Sequence, residues 1–330
     1  MRLFQAILLS LFVCISTIDA GAQQPDLKFN LDRKFKIAQF TDIHYIHSDP
    51  RSEIAIERIN EVLDIEKPDL AIFTGDIIFG TPAEEGLRHV LKQASDRQIP
   101  FAVIFGNHDD EHGLSRKQLY DIIKTIPYNA TYTVEGLSGV SNYILSVRSS
   151  QNDNNAALLY CFDTHSYSKF GGYDFVKFDQ IDWYRTQSMK HRDNNSGSPL
   201  FSLAFLHIPL PEYSTAATNE SSILIGTRKE KSCPPDFNSG LFTSFKEMGD
   251  VKAVFAGHDH DNDYAVLWKG ILLAYGRYTG GDTVYNNLSN GARIIELSEN
   301  EEFFTSWIRL KGGEIVNRIY SPLDFIRKKE

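Results

Sequence analysis

The 330-residue sequence predicts an α/β fold in which two stacked β-sheets carry helices on their outer faces. In the first half, short apolar runs alternate with amphipathic helical segments, a pattern typical of parallel strands joined by right-handed crossovers. In the second half, strand-like runs outnumber helical ones. The composition does not shift along the chain, so residues 23–330 are predicted to form a single domain.

The first half is predicted to have the order β-α-β-α-β-α. Asp49 and Pro50 have the residue types of a helix N-cap and first helical position, and Pro68 interrupts the helix that they begin. Ser115 is expected to cap the third helix, which Pro127 ends. The strands are predicted at 35–40, 70–73 and 101–105, with the second helix at 83–97.

The second half is predicted to contain more strand than helix. Residues 211–239 form a long segment with little periodicity that contains Arg228 and Lys229. Two interpretations stay open for it: a lid or specificity loop that reaches substrate phosphate, or a solvated surface insertion. The strands are predicted at 142–147, 157–162, 201–206, 251–255, 271–275, 292–297 and 303–310, with helices at 179–190 and 240–248.

Residues 1–22 have the pattern of a signal peptide. An apolar stretch at 3–15 is shorter than the roughly 20 residues of a membrane span, and small residues at 20–22 suit cleavage before Gln23. The protein is therefore predicted to be exported, either periplasmic or secreted, and to keep no membrane span after cleavage. An uncleaved anchor is the alternative.

Composition and charge narrow the class of protein. A hydrophobic content of 42% and a charged content of 23% describe a globular chain rather than a disordered one. The net charge of -9 disfavours nucleic acid as a partner, because phosphate backbones require a basic surface. A small anionic substrate remains possible, since bound metal ions dominate the local field at such a site. Cys161 and Cys233 remain after cleavage and can either pair or stay free.

Chemically reactive side chains follow five of the predicted strands. Parallel strands bring their carboxyl ends to one edge of a sheet, so these side chains are expected to meet there. Each motif alone is common as a turn or as a buried histidine, but five of the ten histidines belong to this ordered set. Its members are Asp42, His44, Asp76, Asn107, His108, Asp109, His207, His258 and His260.

The set contains the donors that a pair of metal ions requires. Two ions about 3.5–4 Å apart clamp a phosphate ester and lower the pKa of a bridging water. They need a bridging carboxylate, with oxygen and imidazole ligands on each side. Asn107 offers a neutral oxygen, His108 can face the substrate, and Asp109 is expected to orient the His108 ring. We therefore predict a dinuclear site that cleaves phosphate esters.

Together with the surrounding residues, these motifs resemble the calcineurin-like metallophosphoesterase superfamily. The similarity covers nearly all of the mature chain and is nearest to the short, single-domain members that are called purple-acid-phosphatase-like. It implies a four-layer αββα sandwich of two mixed β-sheets, with a dinuclear metal site at the carboxyl edge of the strands. The segments that carry it are 35–44, 106–116, 207–212, 238–240 and 248–258.

The resemblance also implies a role for each motif residue. In the first metal site it places Asp42, His44 and His260. In the second it places Asn107, His207 and His258. Asp76 bridges the two ions, while His108 protonates the leaving group or stabilises phosphoryl charge, with Asp109 behind it.

One departure from true purple acid phosphatases bears on the metal. Those enzymes carry a tyrosine three residues after the bridging aspartate, whereas this chain has Phe79 there, and they lack a histidine ligand at the position of His44. We therefore expect no purple Fe(III)-tyrosinate. Two divalent or mixed-valence ions are expected instead, with Mn, Zn and Fe as candidates.

The predicted function is hydrolysis of a small phosphorylated substrate by attack of a metal-bound hydroxide. Phosphomonoesters are favoured because basic residues of the 211–239 segment could hold a dianion, and Arg228 and Arg277 are the candidate phosphate contacts. A phosphodiesterase with the same site is one alternative. A catalytically silent metal- or phosphate-binding protein is another, although all of the proposed ligands and His108 are present.

Overall fold

A computed structural model describes residues 24–326. The predicted signal peptide at 1–22 lies outside the described residues. No helix within 24–326 is long and apolar enough to cross a membrane. In the same part of the chain Cys161 is a buried free thiol and Cys233 is an exposed one.

The first sheet has six strands, three from the N-terminal part of the described chain and three from its C-terminal part. Its order is β13-β12-β11-β1-β2-β3, so β1 lies between an N-terminal and a C-terminal neighbour. β1, β2 and β3 are parallel, whereas β11 runs antiparallel to β1. The strands are β1 (Lys34–Phe40), β2 (Leu70–Thr74), β3 (Phe101–Ile104), β11 (Gly291–Ser298), β12 (Phe304–Leu310) and β13 (Ile315–Ser321).

The second sheet has seven strands in the order β4-β5-β6-β8-β10-β9-β7. β5, β6, β8 and β10 are parallel, and antiparallel strands close both edges. Both sheets are therefore mixed. The strands are β4 (Tyr143–Arg148), β5 (Asn155–Cys161), β6 (Phe201–Phe205), β7 (Leu224–Ile225), β8 (Val251–Ala256), β9 (Ala265–Trp268) and β10 (Ile271–Tyr275).

Local sequence signals determine where the first helices begin. The Asp49 side chain accepts the Arg51 N–H, and Pro50 occupies the first turn, where a missing N–H costs nothing. Ser115 and Gln118 form a reciprocal capping box. The helices are α1 (Pro50–Glu66), α2 (Ala83–Ser95), α3 (Arg116–Ile123), α4 (Phe178–Asn194), α5 (Glu212–Thr218) and α6 (Leu241–Met248).

Three apolar layers hold the molecule together. One lies between the first sheet and α1 to α3, and includes Phe73 and Leu87. The central layer lies between the two sheets, where Ile37 and Phe255 are fully buried. The third lies between the second sheet and the helices α4 and α6. The four-layer αββα sandwich is thus confirmed.

Four elements were not predicted: α5, β7, β9 and β13. β9 has only four residues and β7 two, too few for a periodic signal. β13 is an edge strand in which only Ile319 and Ser321 are buried. Both α5 and β7 belong to 211–239, where Tyr213 is buried and donates its hydroxyl to the Val254 carbonyl at 2.8 Å. This segment is therefore packed against the second sheet along part of its length.

Candidate metal centre

The site residues follow the carboxyl ends of strands from both sheets. Asp42 and His44 follow β1, Asp76 follows β2, and Asn107 follows β3, all in the first sheet. The remaining three histidines follow strands of the second sheet, after β6 (His207) and after β8 (His258 and His260). All seven side chains are buried, with at most 8% of any residue exposed. The site therefore forms only where the two sheets meet.

Asp42, His44 and His260 form the first ligand group, with donor atoms close enough to hold one ion. The Nε2 atoms of His44 and His260 lie 3.1 Å apart, and His260 Nε2 lies 3.8 Å from Asp42 Oδ1. Two imidazole nitrogens that face each other at this distance can share at most one proton. A cation between them would satisfy both lone pairs.

Asp76, His207 and His258 form the second group. The Oδ2 atom of Asp76 lies 3.3 Å from His207 Nε2, and Asn107 Oδ1 lies 3.1 Å from the same nitrogen. Asn107 therefore adds an amide oxygen to this group. Carboxylate, amide oxygen and imidazole donors together suit Mn, Fe or Zn.

Asp76 also joins the two groups. Its Oδ2 atom lies 3.6 Å from His44 Nε2 in the first group, in addition to its contact with His207 in the second. Its Oδ1 atom accepts the backbone N–H of His108 at 2.8 Å. A carboxylate in this position can bridge two ions.

Backbone carbonyls fix the orientation of two histidine rings. His207 Nδ1 donates to the Thr74 carbonyl at 2.8 Å, and His260 Nδ1 donates to the Tyr285 carbonyl at 2.9 Å. With the proton held at Nδ1, the Nε2 lone pair of each ring faces the other donors. Such outer hydrogen bonds are typical of metal-binding histidines.

Burial and neighbouring charge shift the pKa values of His44, His258 and Asp76 in the direction that metal binding requires. Burial holds the pKa of His44 and His258 well below the usual histidine range, which keeps both rings neutral. Burial opposes ionisation of Asp76, but the charges of His207 and His44 outweigh it and hold its pKa well below the usual range. Burial also lowers the pKa of His207, whereas Asp76 raises it more strongly, to about 9. An ionised Asp76 and neutral His44 and His258 therefore suit metal binding, whereas the carboxylate of Asp76 favours a proton on His207 that an ion would have to displace.

The backbone at the ligands is strained. Asp42, His44, Asp76 and His258 have positive φ angles of 54°, 46°, 50° and 79°. Non-glycine residues rarely adopt this region, and such strain concentrates at functional sites. The strain thus falls on four of the seven ligand residues.

Glu111, rather than Asp109, contacts the His108 ring. His108 Nδ1 lies 2.6 Å from a carboxylate oxygen of Glu111. Asp109 instead accepts the backbone N–H groups of Ile77 and Gly106, both at 2.7 Å, and of Asp76 at 3.1 Å. The expectation that Asp109 orients His108 was therefore wrong. Burial and the charge of Asp76 raise the pKa of Asp109 to about 6, and its carboxylate ties together the loops that follow β2 and β3.

The two candidate phosphate contacts are engaged elsewhere. Arg277 is buried, forms an ion pair with Asp263 and donates to the Ser289 carbonyl at 2.8 Å. Its assignment as a phosphate contact is contradicted by this placement. Arg228 is half-buried and donates to the Ala217 carbonyl at 3.2 Å, in α5. Within residues 24–326, neither guanidinium is hydrogen-bonded to a ligand side chain.

Phe79 and Tyr45 lie close to the ligand His44, but neither is placed as a tyrosine ligand. The Phe79 ring packs edge-on against His44 and His108, with centroid distances of 5.1 and 5.2 Å. The Tyr45 hydroxyl donates to Glu53 at 2.8 Å instead of joining the ligand groups. Neither Phe79 nor Tyr45 therefore offers a phenol oxygen to the ligand groups.

Aromatic side chains that the sequence analysis did not identify form the edge of the site. Tyr173 packs edge-on against His258 at 4.3 Å, and Tyr285 stacks on His260 at 4.5 Å. Tyr167 stacks on Tyr173 at 5.8 Å. No sequence motif identifies these tyrosines. Two of them lie in the loop that follows β5, where there is no periodic pattern to indicate which side chains face the site. Glu111 was recognisable only from its position three residues after His108, where a turn brings the side chains together.

These features define a class of protein: an α/β sandwich with a dinuclear metal centre. The family model described as calcineurin-like phosphoesterase matches residues 35–262, which include all of the ligands. The chain belongs to this calcineurin-like phosphoesterase family. Its members bind two metal ions, and both ligand groups are present in this chain.

Two curated relatives resemble most of the chain. Phosphatase DCR2 of Saccharomyces cerevisiae is 35% identical over 92% of this chain, which spans 58% of the yeast protein. An Arabidopsis thaliana protein named probable inactive purple acid phosphatase 29 is 33% identical, over 96% of this chain and 92% of its own length. The relatives therefore include one named as a phosphatase and one named as inactive.

Solved structures support the same fold. A dimetal phosphatase from Danio rerio matches 87% of this chain and 98% of its own, with a TM-score of 0.62 and 12% identity. GAP50, described as the anchor in the inner membrane complex of Plasmodium, matches 90% of each chain with a TM-score of 0.55 and 14% identity. At this identity the likeness concerns the fold alone.

Proposed function

We propose that this protein is an exported, dinuclear-metal-dependent phosphoesterase that hydrolyses small phosphomonoesters. The observation that carries the proposal is the position of Asp76 between two complete ligand groups, with His108 beside it. Asp42, His44 and His260 would hold one ion, and Asn107, His207 and His258 the other. When bound, the ions neutralise phosphoryl charge and activate water.

His108 is placed for proton transfer to the leaving group. Unlike the ligands, its side chain is 29% exposed. Its Nδ1 atom contacts Glu111, which leaves Nε2 available to the substrate. The adjacent Phe79 ring limits how far the imidazole can rotate. A general acid in such a position typically contributes about 10²–10⁴-fold to the rate.

The preference for monoesters is supported by the name of the yeast relative and not by the basic residues of the 211–239 segment. Lys229 donates to the Asn287 carbonyl at 3.1 Å, and Arg228 is bonded to α5. Phosphodiester cleavage by the same site is the alternative within this class. The rates on a monoester and a diester that share one leaving group distinguish the two.

A catalytically silent metal-binding protein is the second candidate function. It is favoured by the name of the Arabidopsis relatives, three of which are called probable inactive purple acid phosphatases. Against it stand seven converging donors and a partly exposed His108, because loss of turnover does not require that these be kept. We therefore place the active enzyme first.

The test is metal-dependent hydrolysis. Chelator-stripped protein is refilled with Mn, Zn, Fe or Mg and assayed with p-nitrophenyl phosphate and bis-p-nitrophenyl phosphate. Restored turnover with faster cleavage of the monoester is expected. Faster cleavage of the diester would reverse the substrate assignment. Bound metal at about two ions per chain without any turnover would favour the silent protein.

Export has its own measurement. Expression of the full sequence in its host, followed by N-terminal sequencing of the mature protein, is expected to give Gln23 as the first residue. An intact N-terminus that stays with the membrane fraction would support the uncleaved anchor instead.

A further inference from the structure

An aromatic wall adjoins the second ligand group. Tyr173 packs edge-on against His258, and Tyr167 stacks on Tyr173 with an interplanar angle of 24°. Tyr173 is half-buried, whereas Tyr167 is 53% exposed. The outer face of the Tyr167 ring is therefore open to a ligand.

Hydrogen bonds within the loop hold these two tyrosines in place. Tyr167 and Tyr173 form an isolated antiparallel bridge, and the Ser168 N–H donates to the Gly172 carbonyl at 3.0 Å. The Tyr167 hydroxyl is held as well, since it donates to Glu111 at 3.1 Å and lies 3.5 Å from Asn107 Nδ2. The ring thus has a defined position relative to the metal ligands, and a preorganised surface costs less to bind.

Glu111 connects the Tyr167 ring to the leaving-group side of the centre. One carboxylate oxygen of Glu111 contacts His108 Nδ1 at 2.6 Å, and the other accepts the Tyr167 hydroxyl. The atom that receives a proton from His108 belongs to the leaving group. Through Glu111 and through its 3.5 Å approach to Asn107 Nδ2, Tyr167 therefore borders both the proposed proton donor and the second ligand group.

A second aromatic cluster involves the same loop. Phe170, in the same loop, packs at 5.7 Å against Phe237, which in turn packs at 5.9 Å against Phe175. Phe170 and Phe237 are largely exposed. Isolated exposed apolar residues are normal, but several exposed aromatic side chains grouped beside a candidate metal centre are typical of a binding surface.

We propose that the exposed face of Tyr167 binds a planar aromatic leaving group, so that the preferred substrates are phosphate esters of aryl or heteroaryl rings. The inference rests on the proposed function and names its substrate class. Offset stacking of one ring on another favours an aromatic ester over an aliphatic one by about tenfold. The open face of Tyr167 and its link to His108 through Glu111 are the observations behind it.

The test compares two esters whose alcohols have similar acidity: phenyl phosphate and hexafluoroisopropyl phosphate. Matching the acidity separates ring stacking from leaving-group chemistry. The wild type is expected to favour the phenyl ester by about tenfold in kcat/KM. Tyr167→Leu removes the ring and is expected to abolish this preference. Tyr167→Phe keeps the ring but loses the hydroxyl, and is expected to retain the preference even if the overall rate falls.

Two further tyrosine variants serve as a control and as a test of the opposite side of the site. Tyr320→Leu removes an exposed tyrosine on β13, at the far edge of the first sheet, and is expected to leave the preference unchanged. Tyr285→Leu removes the ring that stacks on His260. If Tyr285→Leu lost the preference while Tyr167→Leu kept it, the ring would be bound on the opposite side and the proposal would be overturned.

A binding measurement separates failure of this inference from failure of the proposed function. Calorimetric titration with phenylphosphonate and methylphosphonate, in the presence of Mn²⁺, needs no turnover. We expect phenylphosphonate to bind about tenfold more tightly to the wild type and to lose that advantage in Tyr167→Leu. Equal affinities in the wild type would overturn the aromatic site, whatever the enzyme assay gives. Lack of hydrolysis together with the expected affinities would contradict the proposed function only.

Discussion

The backbone N–H of His108 donates to the Asp76 carboxylate, but the two side chains have different contacts. Variants of the two residues should therefore separate metal binding from catalysis. The Asp76 carboxylate approaches a histidine of each ligand group, whereas the His108 side chain meets Glu111 and the substrate side. We expect His108→Ala to keep about two ions per chain and to lose about 10²–10⁴-fold in turnover. We expect Asp76→Asn to lose both metal and turnover.

Metal content by elemental analysis, measured beside the rate, checks this prediction. Loss of metal in His108→Ala would place that ring among the ligands. Full turnover in either variant would contradict the catalytic scheme.

Glu111 is predicted to position His108. Removing its carboxylate in Glu111→Ala frees the Nδ1 side of the ring, so proton transfer to the leaving group suffers most. We expect a loss of about tenfold or more on esters of weakly acidic alcohols, and little loss on 2,4-dinitrophenyl phosphate, whose leaving group needs no proton. Glu111→Gln, which keeps an oxygen acceptor for Nδ1, is expected to recover part of the rate.

The matched control is Glu247→Ala, which removes an exposed carboxylate that pairs with Arg185. It is expected to have wild-type rates on all esters. An equal loss on good and poor leaving groups in Glu111→Ala would show that Glu111 supports the structure of the loop rather than proton transfer.

At the scale of the element, the turn after β2 depends on a glycine. Gly75 has a φ of +89°, and a Cβ atom there would lie 2.5 Å from His207 Nδ1. Gly75→Ala is therefore expected to displace the His207 ring, to lose metal from the second group, and to destabilise the fold by about 1–3 kcal/mol.

Gly113→Ala provides the control, because Gly113 has a φ of +87° but a Cβ atom there would meet no other atom within 4 Å. It shares the backbone strain without the clash. Urea unfolding together with metal analysis is expected to show a stability loss in both variants and a metal loss in Gly75→Ala alone. Equal metal content in the two would mean that the His207 ring can move aside without leaving its ligand position.

The elements that carry the site were predictable because each combines a buried apolar run with a polar motif. β1, β2, β3, β6 and β8 follow the predicted strands to within one residue at either end. The contacts beyond the ligands were not predictable. A carboxylate such as Asp109 can bond either a ring or a row of backbone N–H groups, and only the packing of the loops after β2 and β3 decides this.

At the scale of the whole molecule, an ion pair connects the two halves of the sandwich. Arg116 begins α3, on the side of the first sheet, and its guanidinium contacts Asp163, which follows β5 of the second sheet, at 2.6 Å. Burial raises the pKa of Asp163, but Arg116 and the backbone N–H groups of Val140 and Ser141 outweigh it and lower the pKa to about 2.

A lowered pKa in the folded state makes this contact sensitive to acid. The stabilisation is fully present above the ordinary aspartate pKa and is lost as the pH falls through about 2. We expect the stability difference between the wild type and Asp163→Asn to be larger at pH 6 than at pH 2, by roughly 2 kcal/mol. Asp153→Asn, which removes an exposed partner of Arg148, is the control and is expected to change the free energy of unfolding by less than about 1 kcal/mol. A difference for Asp163→Asn that is independent of pH would contradict this.

The strand order of the first sheet has a consequence for synthesis on the ribosome. β1 lies between β2, which follows it within about 30 residues, and β11, which is translated more than 250 residues later. Until β11 has left the exit tunnel, one edge of β1 keeps unpaired N–H and C=O groups. An open strand edge is a template for pairing with another nascent chain. Throughout most of translation, the strand that precedes the first two metal ligands therefore keeps one edge open to such pairing.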